Sequence, residues 1–253
     1  MKNLRYLVIT FCLTFILSSV QLNAQEADST LTNTVVFTQN STSLADQTSV
    51  FSTFDQYARP IWDKLTEEGD ILGYGHLTHY WGDEFNHNVY YVVEDKISFF
   101  NALDKFYSEA ENSIEHLNEI ESKIRKHKDN IYIHTAFYSN GENKPGTVMF
   151  NQNRVNNLNR EEYVSIFREF SFPILKKMVD EGKLNRFGLM IHEWGDDWNV
   201  NYYFHNDDLE QFNQTWSEYF SVFSEKHPEQ LNRLIELTVD HKDNLFREFV
   251  PEN

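Results

Sequence analysis

The sequence predicts an α+β fold made of two tandem copies of one unit, each an antiparallel sheet with packed helices. Three observations carry that expectation. The stretch His192-Glu193-Trp194-Gly195-Asp196-Asp197-Trp198-Asn199-Val200-Asn201-Tyr202-Tyr203 has an earlier counterpart, His79-Tyr80-Trp81-Gly82-Asp83-Glu84-Phe85-Asn86-His87-Asn88-Val89-Tyr90, 113 residues upstream. The same displacement relates residues far outside that stretch, and 113 is far too long for a solenoid period, so a domain has been duplicated. Within each copy, short aromatic and β-branched segments alternate with segments whose apolar residues recur at helical spacing.

Each copy reads as the same series of elements. A short strand comes first, 35–39 or 147–152, where Val35-Val36-Phe37-Thr38-Gln39-Asn40 matches Val148-Met149-Phe150-Asn151-Gln152-Asn153. A helix follows, with Phe51, Phe54, Ala58, Ile61 and Leu65 on one face, or Val164, Phe167, Phe170, Ile174 and Met178. Pro60 and Pro173 fall inside it, which predicts a kink or break at the same place in both copies. Gly69 and Gly182 suit a left-handed C-cap.

Two strands then form a hairpin, 72–81 with 88–93 and 186–194 with 201–205, turned at Gly-Asp. Asp95 and Asp208 are placed to N-cap a second helix. A third helix carries Leu117, Ile120 and Ile124, or Leu231, Leu234 and Thr238. The match of His127-Lys128-Asp129-Asn130 with His241-Lys242-Asp243-Asn244 needs one extra residue of offset. A strand over 131–138 closes the first unit; the second has only 245–250 left, so its last strand is expected to be shorter or absent.

The ends and the composition bound the setting. Residues 1–24 read as a signal peptide, with Lys2 and Arg5 before the apolar run 7–17 and Leu22-Asn23-Ala24 as a small-residue exit. A flexible leader over 25–34, a first repeat over 35–138, a linker over 139–146 and a second repeat over 147–253 complete the division. The expected location is therefore outside the cytoplasm, in the periplasm or beyond. The mature chain carries 20 basic against 39 acidic side chains, a net charge of −19. Nucleic acid and, after cleavage, an anionic membrane would be repelled, so neither is an expected partner. The only cysteine, Cys12, lies in the signal, which leaves no thiolate chemistry and no cysteine-based metal site.

The order strand, helix, strand, strand, helix, strand is that of the ferredoxin-like split βαβ unit. Two such units in one chain resemble the tandem form of the dimeric α/β-barrel superfamily, whose members include antibiotic-biosynthesis-monooxygenase-like proteins, heme-degrading enzymes and chlorite dismutases. The resemblance implies that the two sheets pair into one pseudo-twofold barrel around an aromatic cavity. It brings no catalytic signature that this sequence matches.

Alternation along the first hairpin strand puts Gly75, Leu77, His79 and Trp81 on one face, and Gly188, Met190, His192 and Trp194 on its counterpart. A register that pairs Trp194 with Asn201 sets His192 opposite Tyr203 and His79 opposite Tyr90. His79 and His192 are therefore the candidate catalytic groups, as general acid or base. Trp81, Asn88, Tyr90, Trp194, Asn201 and Tyr203 are the candidate ligand contacts. Each also has a plainer reading: imidazole and phenol as a satisfied core pair, the tryptophans as packing, Gly-Asp and its asparagines as turn residues.

No metal is expected: His76 and His79 face opposite ways, and a meeting of His192 with His205 would make only a pair. No cofactor is expected either, with heme on His79 or His192 the alternative that the resemblance alone suggests. The functional expectation is a small organic ligand in the cavity, with cofactor-independent, monooxygenase-like oxidation as the chemistry to test. The rival is a non-enzymatic envelope or interaction protein whose core is filled. Whether the chain is an enzyme, and whether it oligomerises, stay open at this point.

Overall fold

The computed structural model describes residues 32–141 and 144–249. The expected signal peptide and most of the expected leader lie outside them. Each copy begins with a strand, β1 (Thr34–Thr42) and β5 (Thr147–Val155). Helices α1 (Gln47–Thr53) and α2 (Arg59–Glu67) follow in the first copy, α5 (Arg160–Ile166) and α6 (Phe172–Asp180) in the second. The hairpins are β2 (Gly73–Trp81) with β3 (His87–Val93) and β6 (Arg186–Trp194) with β7 (Val200–Asn206). Then come α3 (Lys96–Glu109), α4 (Ile114–Lys123) and β4 (Ile124–Ser139), matched by α7 (Leu209–Lys226), α8 (Pro228–Leu237) and β8 (Thr238–Glu248).

The eight strands close into one barrel in the order β1-β3-β2-β8-β5-β7-β6-β4, every pairing antiparallel. Closure abolishes the sheet edges that each unit alone would expose. The seams are β2 against β8 and β4 against β6, so each copy is completed by the last strand of the other. Antiparallel alternation makes β1, β2, β5 and β6 run the same way, which sets the pseudo-twofold along the barrel axis. Both hairpin tips therefore lie at one end, called here the upper end.

The helix does not break at Pro60 or Pro173: residues 47–67 and 160–180 are helical throughout, and the irregularity takes another form. A single π-helical turn, Phe54–Ala58 or Phe167–Ser171, precedes Pro60 and Pro173, which then sit in the first turn of α2 and α6. The π turn thus falls where Pro60 and Pro173 lack the N–H that an uninterrupted α-helical ladder would use. Gly69 and Gly182 end these helices at φ 80° and 72°, as expected. Asp95 accepts from the Ser98 amide and Asp208 from the Gln211 amide, both at 2.8 Å. The last strand of the second copy is present and, at eleven residues against sixteen in β4, shorter as expected, but it starts earlier than 245 because α8 stops at Leu237 and β8 pairs with both β2 and β5.

Between sheet and helices each copy has its own apolar layer. Trp62 stacks on Phe106 at 4.5 Å in the first, and Phe204 meets Tyr219 edge to face at 5.4 Å in the second. The barrel interior is a third layer, filled in twofold pairs: Val35 with Val148, Phe37 with Phe150, Leu77 with Met190, and Tyr132 with Phe246. Rings from both copies meet there, Phe37 with Phe150 at 5.2 Å and Phe37 with Phe246 at 6.1 Å. This aromatic plug divides the interior into an upper and a lower part.

Candidate functional site

The duplicated His-x-Trp-Gly-Asp segment is first of all a clasp between the copies. Asp83 turns its own loop by accepting from the Phe85 amide at 3.1 Å, and Asp196 does the same with Trp198 at 3.1 Å. The Asp83 amide then donates to Asn244 Oδ1 at 2.8 Å, and the Asp196 amide to Asn130 Oδ1 at 3.0 Å. Each bond joins a hairpin tip of one copy to the closing strand of the other. Gly82 and Gly195 hold φ of 132° and 129°, and a Cβ at either would overlap that asparagine oxygen. Lys242 pairs with Asp83 at 2.9 Å and Lys128 with Asp196 at 2.6 Å. Retention of Gly-Asp in both copies follows from closing the barrel twice.

Below the clasp, the upper interior is lined by six amides with no exposed surface: Gln39, Asn88, Asn130, Gln152, Asn201 and Asn244. Asn88 and Asn201 each donate to a loop carbonyl, Phe85 O and Trp198 O, at 3.2 and 2.9 Å. Their Oδ1 atoms have no partner. Gln152 Nε2 donates to the Tyr132 hydroxyl at 3.4 Å. Its twofold mate Gln39 meets Phe246 in the equivalent place, so Gln39 Nε2 is left over.

His79 and His192 occupy equivalent places at this end, each beside a seam. His79 pairs across the β2–β8 seam with Phe246, rings 6.0 Å apart; His192 pairs across the β4–β6 seam with Tyr132 at 5.7 Å. Both Nε2 atoms are buried and unpartnered. Burial holds the His192 imidazole below its ordinary range against the opposing pull of Asp196, so it is a neutral base at pH 7.

The expected His-Tyr pairs do not form. The true register sets Tyr90 opposite Gly75 and Tyr203 opposite Gly188, four residues from the histidines along β2 and β6. The turn takes more residues than its Gly-Asp tip suggested, which slides both strands. The Tyr203 ring lies flat on Gly188, where a Cβ would stand 2.6 Å from it, and Tyr90 covers Gly75 the same way.

Both tyrosines therefore belong to the lower interior, where the copies diverge. Arg186 Nη2 donates to the Tyr90 hydroxyl at 3.2 Å and to Glu248 Oε1 at 3.4 Å, and Tyr90 donates to Glu248 at 3.0 Å. Tyr203 shares a hydrogen with His134 Nε2 at 3.2 Å. Burial pushes both phenols well above their ordinary range and pulls His134 down to about 4. Burial would raise Glu248, but His205 and Arg186 outweigh it and hold the carboxyl below its usual range. His192 and His205, weighed as a pair that could meet across the hairpin, do not, since His205 stands opposite Arg186.

The structure thus gathers His79, His192, Asn88 and Asn201 at one place, leaves Trp81 and Trp194 exposed at its rim (76% and 54%), and sends Tyr90 and Tyr203 to the other end. Sequence reading missed Gln39, Gln152, Asn130 and Asn244, although all four are retained between copies. It also missed Arg186, Glu248 and His134. Their signal is divergence: Arg186 replaces Gly73, and Glu248 replaces His134, inside a buried wall.

The alternative of heme on His79 or His192 gains no support from their surroundings, an aromatic ring of the plug 6.0 and 5.7 Å away. Among the described residues, no three His, Cys, Asp or Glu side chains group so as to hold a metal ion, and no helix is long and apolar enough to cross a membrane. Two surface clefts, of about 320 and 390 Å³, lie outside the barrel, on Arg160, Arg168 and Ile191 and on Arg154, Asp197 and Val239.

Solved structures share this architecture. One described as a putative monooxygenase from Lactobacillus acidophilus superposes with a TM-score of 0.58 at 12% identity, over 87% of this chain and 100% of that one. A putative monooxygenase from Fusobacterium nucleatum gives 0.57 at 14% identity, over 88% and 95%. A heme-binding protein from Thermus thermophilus gives 0.53 at 12% identity, over 87% and 92%. The fold is the dimeric α/β barrel. No family model and no curated protein sequence matches the chain.

Proposed function

We propose that this is an exported barrel protein that binds a small organic ligand at the upper end of the barrel interior. One observation carries the reading. Five buried polar atoms without partners, Gln39 Nε2, His79 Nε2, Asn88 Oδ1, His192 Nε2 and Asn201 Oδ1, sit on interior-facing positions at one end of the barrel. Each such atom costs a fold about 1–3 kcal/mol, and a ligand carrying both donors and acceptors relieves that cost. Trp81 and Trp194 at the rim supply apolar faces for it.

The chemistry to test there is proton abstraction by neutral His192 from an acidic O–H or C–H of an oxidisable ligand, with dioxygen taking the electrons. Two of the similar barrels are described as putative monooxygenases, which supports asking the question of this one. The rival reading, a non-enzymatic envelope or interaction protein, draws support from the aromatic plug and from the clasp, which explain much of the duplicated motif without a ligand.

Native mass spectrometry on the mature chain separates the two. The expected result is a small-molecule mass increment that is lost on denaturation and weakened in His192→Gln and Asn201→Leu. A bare mass in the wild type, or an increment that both variants retain, overturns the site. Export is checked by N-terminal sequencing of material recovered outside the cytoplasm, which should begin at Gln25.

A further inference from the structure

The first copy carries, between its sheet and its helices, a pair of imidazoles that the second copy does without. His76 on β2 and His87 on β3 lie with ring centroids 4.7 Å apart, both 2% exposed. Their counterparts in the second copy are Leu189 and Val200, each wholly buried. The fold therefore tolerates an apolar pair here, and the histidines are an addition. They are an expensive one, since both nitrogens of His76 and Nε2 of His87 have no partner.

The surroundings of the pair come from four directions. Phe51 and Phe54 cover it from α1 and the π turn, at 5.0 and 4.3 Å from the His76 ring. Asp55, from the same turn, has Oδ1 3.8 Å from His76 Nδ1 and is shared with Arg59, whose Nε donates to it at 2.6 Å. From β1, Asn40 Nδ2 stands 3.4 Å from His87 Nδ1; behind Asn40 follow His127 at 2.7 Å and Asp129, 2.7 Å beyond His127. The fourth side is closed by Phe249, the residue just past β8 of the other copy. Its amide donates to His76 O at 2.9 Å, its carbonyl accepts from Arg59 Nη2 at 3.4 Å, and its ring lies 5.0 Å from Phe51 and 5.6 Å from His76.

We propose that His76, His87 and Phe249 form an acid-opened latch: when the imidazole pair takes up protons, Phe249 leaves its seat and the sheet–helix layer of the first copy opens. A first proton is tolerable on His76, where Asp55 faces it. A second, on His87, meets no carboxylate among its contacts, only the Asn40 amide and the charged His76 ring. Two cations then face each other among phenylalanine rings, and hydration is the relief. Phe249 is the side that yields, because it lies beyond the last ladder pair, Leu77 with Glu248, where strands fray most readily. Burial already holds both imidazoles below their ordinary range, His87 furthest, as a pair kept neutral by its closed seat requires.

Amide hydrogen exchange read by mass spectrometry on the mature chain tests this, with rates corrected for intrinsic pH dependence. Between pH 7 and pH 5 the peptide ending at Phe249 should lose protection by up to about tenfold per pH unit for each proton taken up, while a peptide from 240–244 of the same strand keeps its own. The double variant His76→Leu with His87→Val adopts the residues of the second copy, so it should fold and show no such loss. Phe249→Ala should expose the His76 segment already at pH 7. The latch is overturned by a wild type with unchanged protection at pH 5, by equal loss in the double variant, or by simultaneous loss at 240–244, which is global unfolding.

Discussion

Asn244→Ala is the sharpest probe of the clasp. The side chain has no exposed surface and accepts from the Asp83 amide at 2.8 Å, while donating to Gln152 Oε1 at 3.2 Å. Truncation leaves one donor and one acceptor unpaired at the seam, each costing about 1–3 kcal/mol, for a total of about 2–6 kcal/mol. That is a large part of the roughly 5–15 kcal/mol that holds a domain folded. In urea unfolding of the chain from Gln25 the midpoint should fall by about 1 M or more.

The twofold gives a second handle. Asn130→Ala should cost a similar amount, and Gly195→Ala should also destabilise, because its φ of 129° and the position of Asn130 Oδ1 both exclude a Cβ. Since Gly195 and Asn130 act on one contact, their double variant should be less destabilised than the sum, with a coupling of about 0.5–3 kcal/mol. A loss under about 0.5 kcal/mol for Asn244→Ala, or strict additivity of Gly195→Ala with Asn130→Ala, would refute the clasp.

Two further outcomes follow from the lower interior. Gly188→Ala forces the Tyr203 ring off its seat, since the new Cβ would stand 2.6 Å from it; a loss of about 1–3 kcal/mol in thermal or urea unfolding is expected, and Gly75→Ala should match it through Tyr90. His134 is kept neutral by burial, its pKa lowered from 6.5 to about 4. Its contribution is full above pH 6.5; as pH falls from there towards 4 the unfolded chain gains a proton that the folded one refuses, and about 3 kcal/mol is lost. His134→Phe should flatten that part of the stability curve, and a curve unchanged from wild type would sink the assignment.

Much of the fold is legible in the sequence because duplication makes the chain its own control. Retained apolar spacing marks the helices, Gly69 and Gly182 their ends, and Asp95 and Asp208 their caps. The alternation of Gly75, Leu77, His79 and Trp81 marks the interior face of β2. These features are local: each depends on a backbone period or on bonds within a turn. The register is not legible, since sliding β3 along β2 by an even number of residues keeps every side chain on the same face. Pattern alone cannot separate His192 opposite Tyr203 from Gly188 opposite Tyr203; the flat seat of the ring on a glycine separates them.

By itself, then, the sequence determined the element order, the doubling and the faces that turn inward. Only closure of the barrel decided what those faces meet. It set Gly-Asp against the asparagine of the other copy, so that residues read as a turn also form a clasp. It placed Asn88 and Asn201 beneath His79 and His192 with atoms unpaired, and separated them from Tyr90 and Tyr203 by rings drawn from both copies. The physical reason is that these contacts depend on the seams β2–β8 and β4–β6, which join residues far apart in the chain, and no local periodicity encodes which strand will complete another.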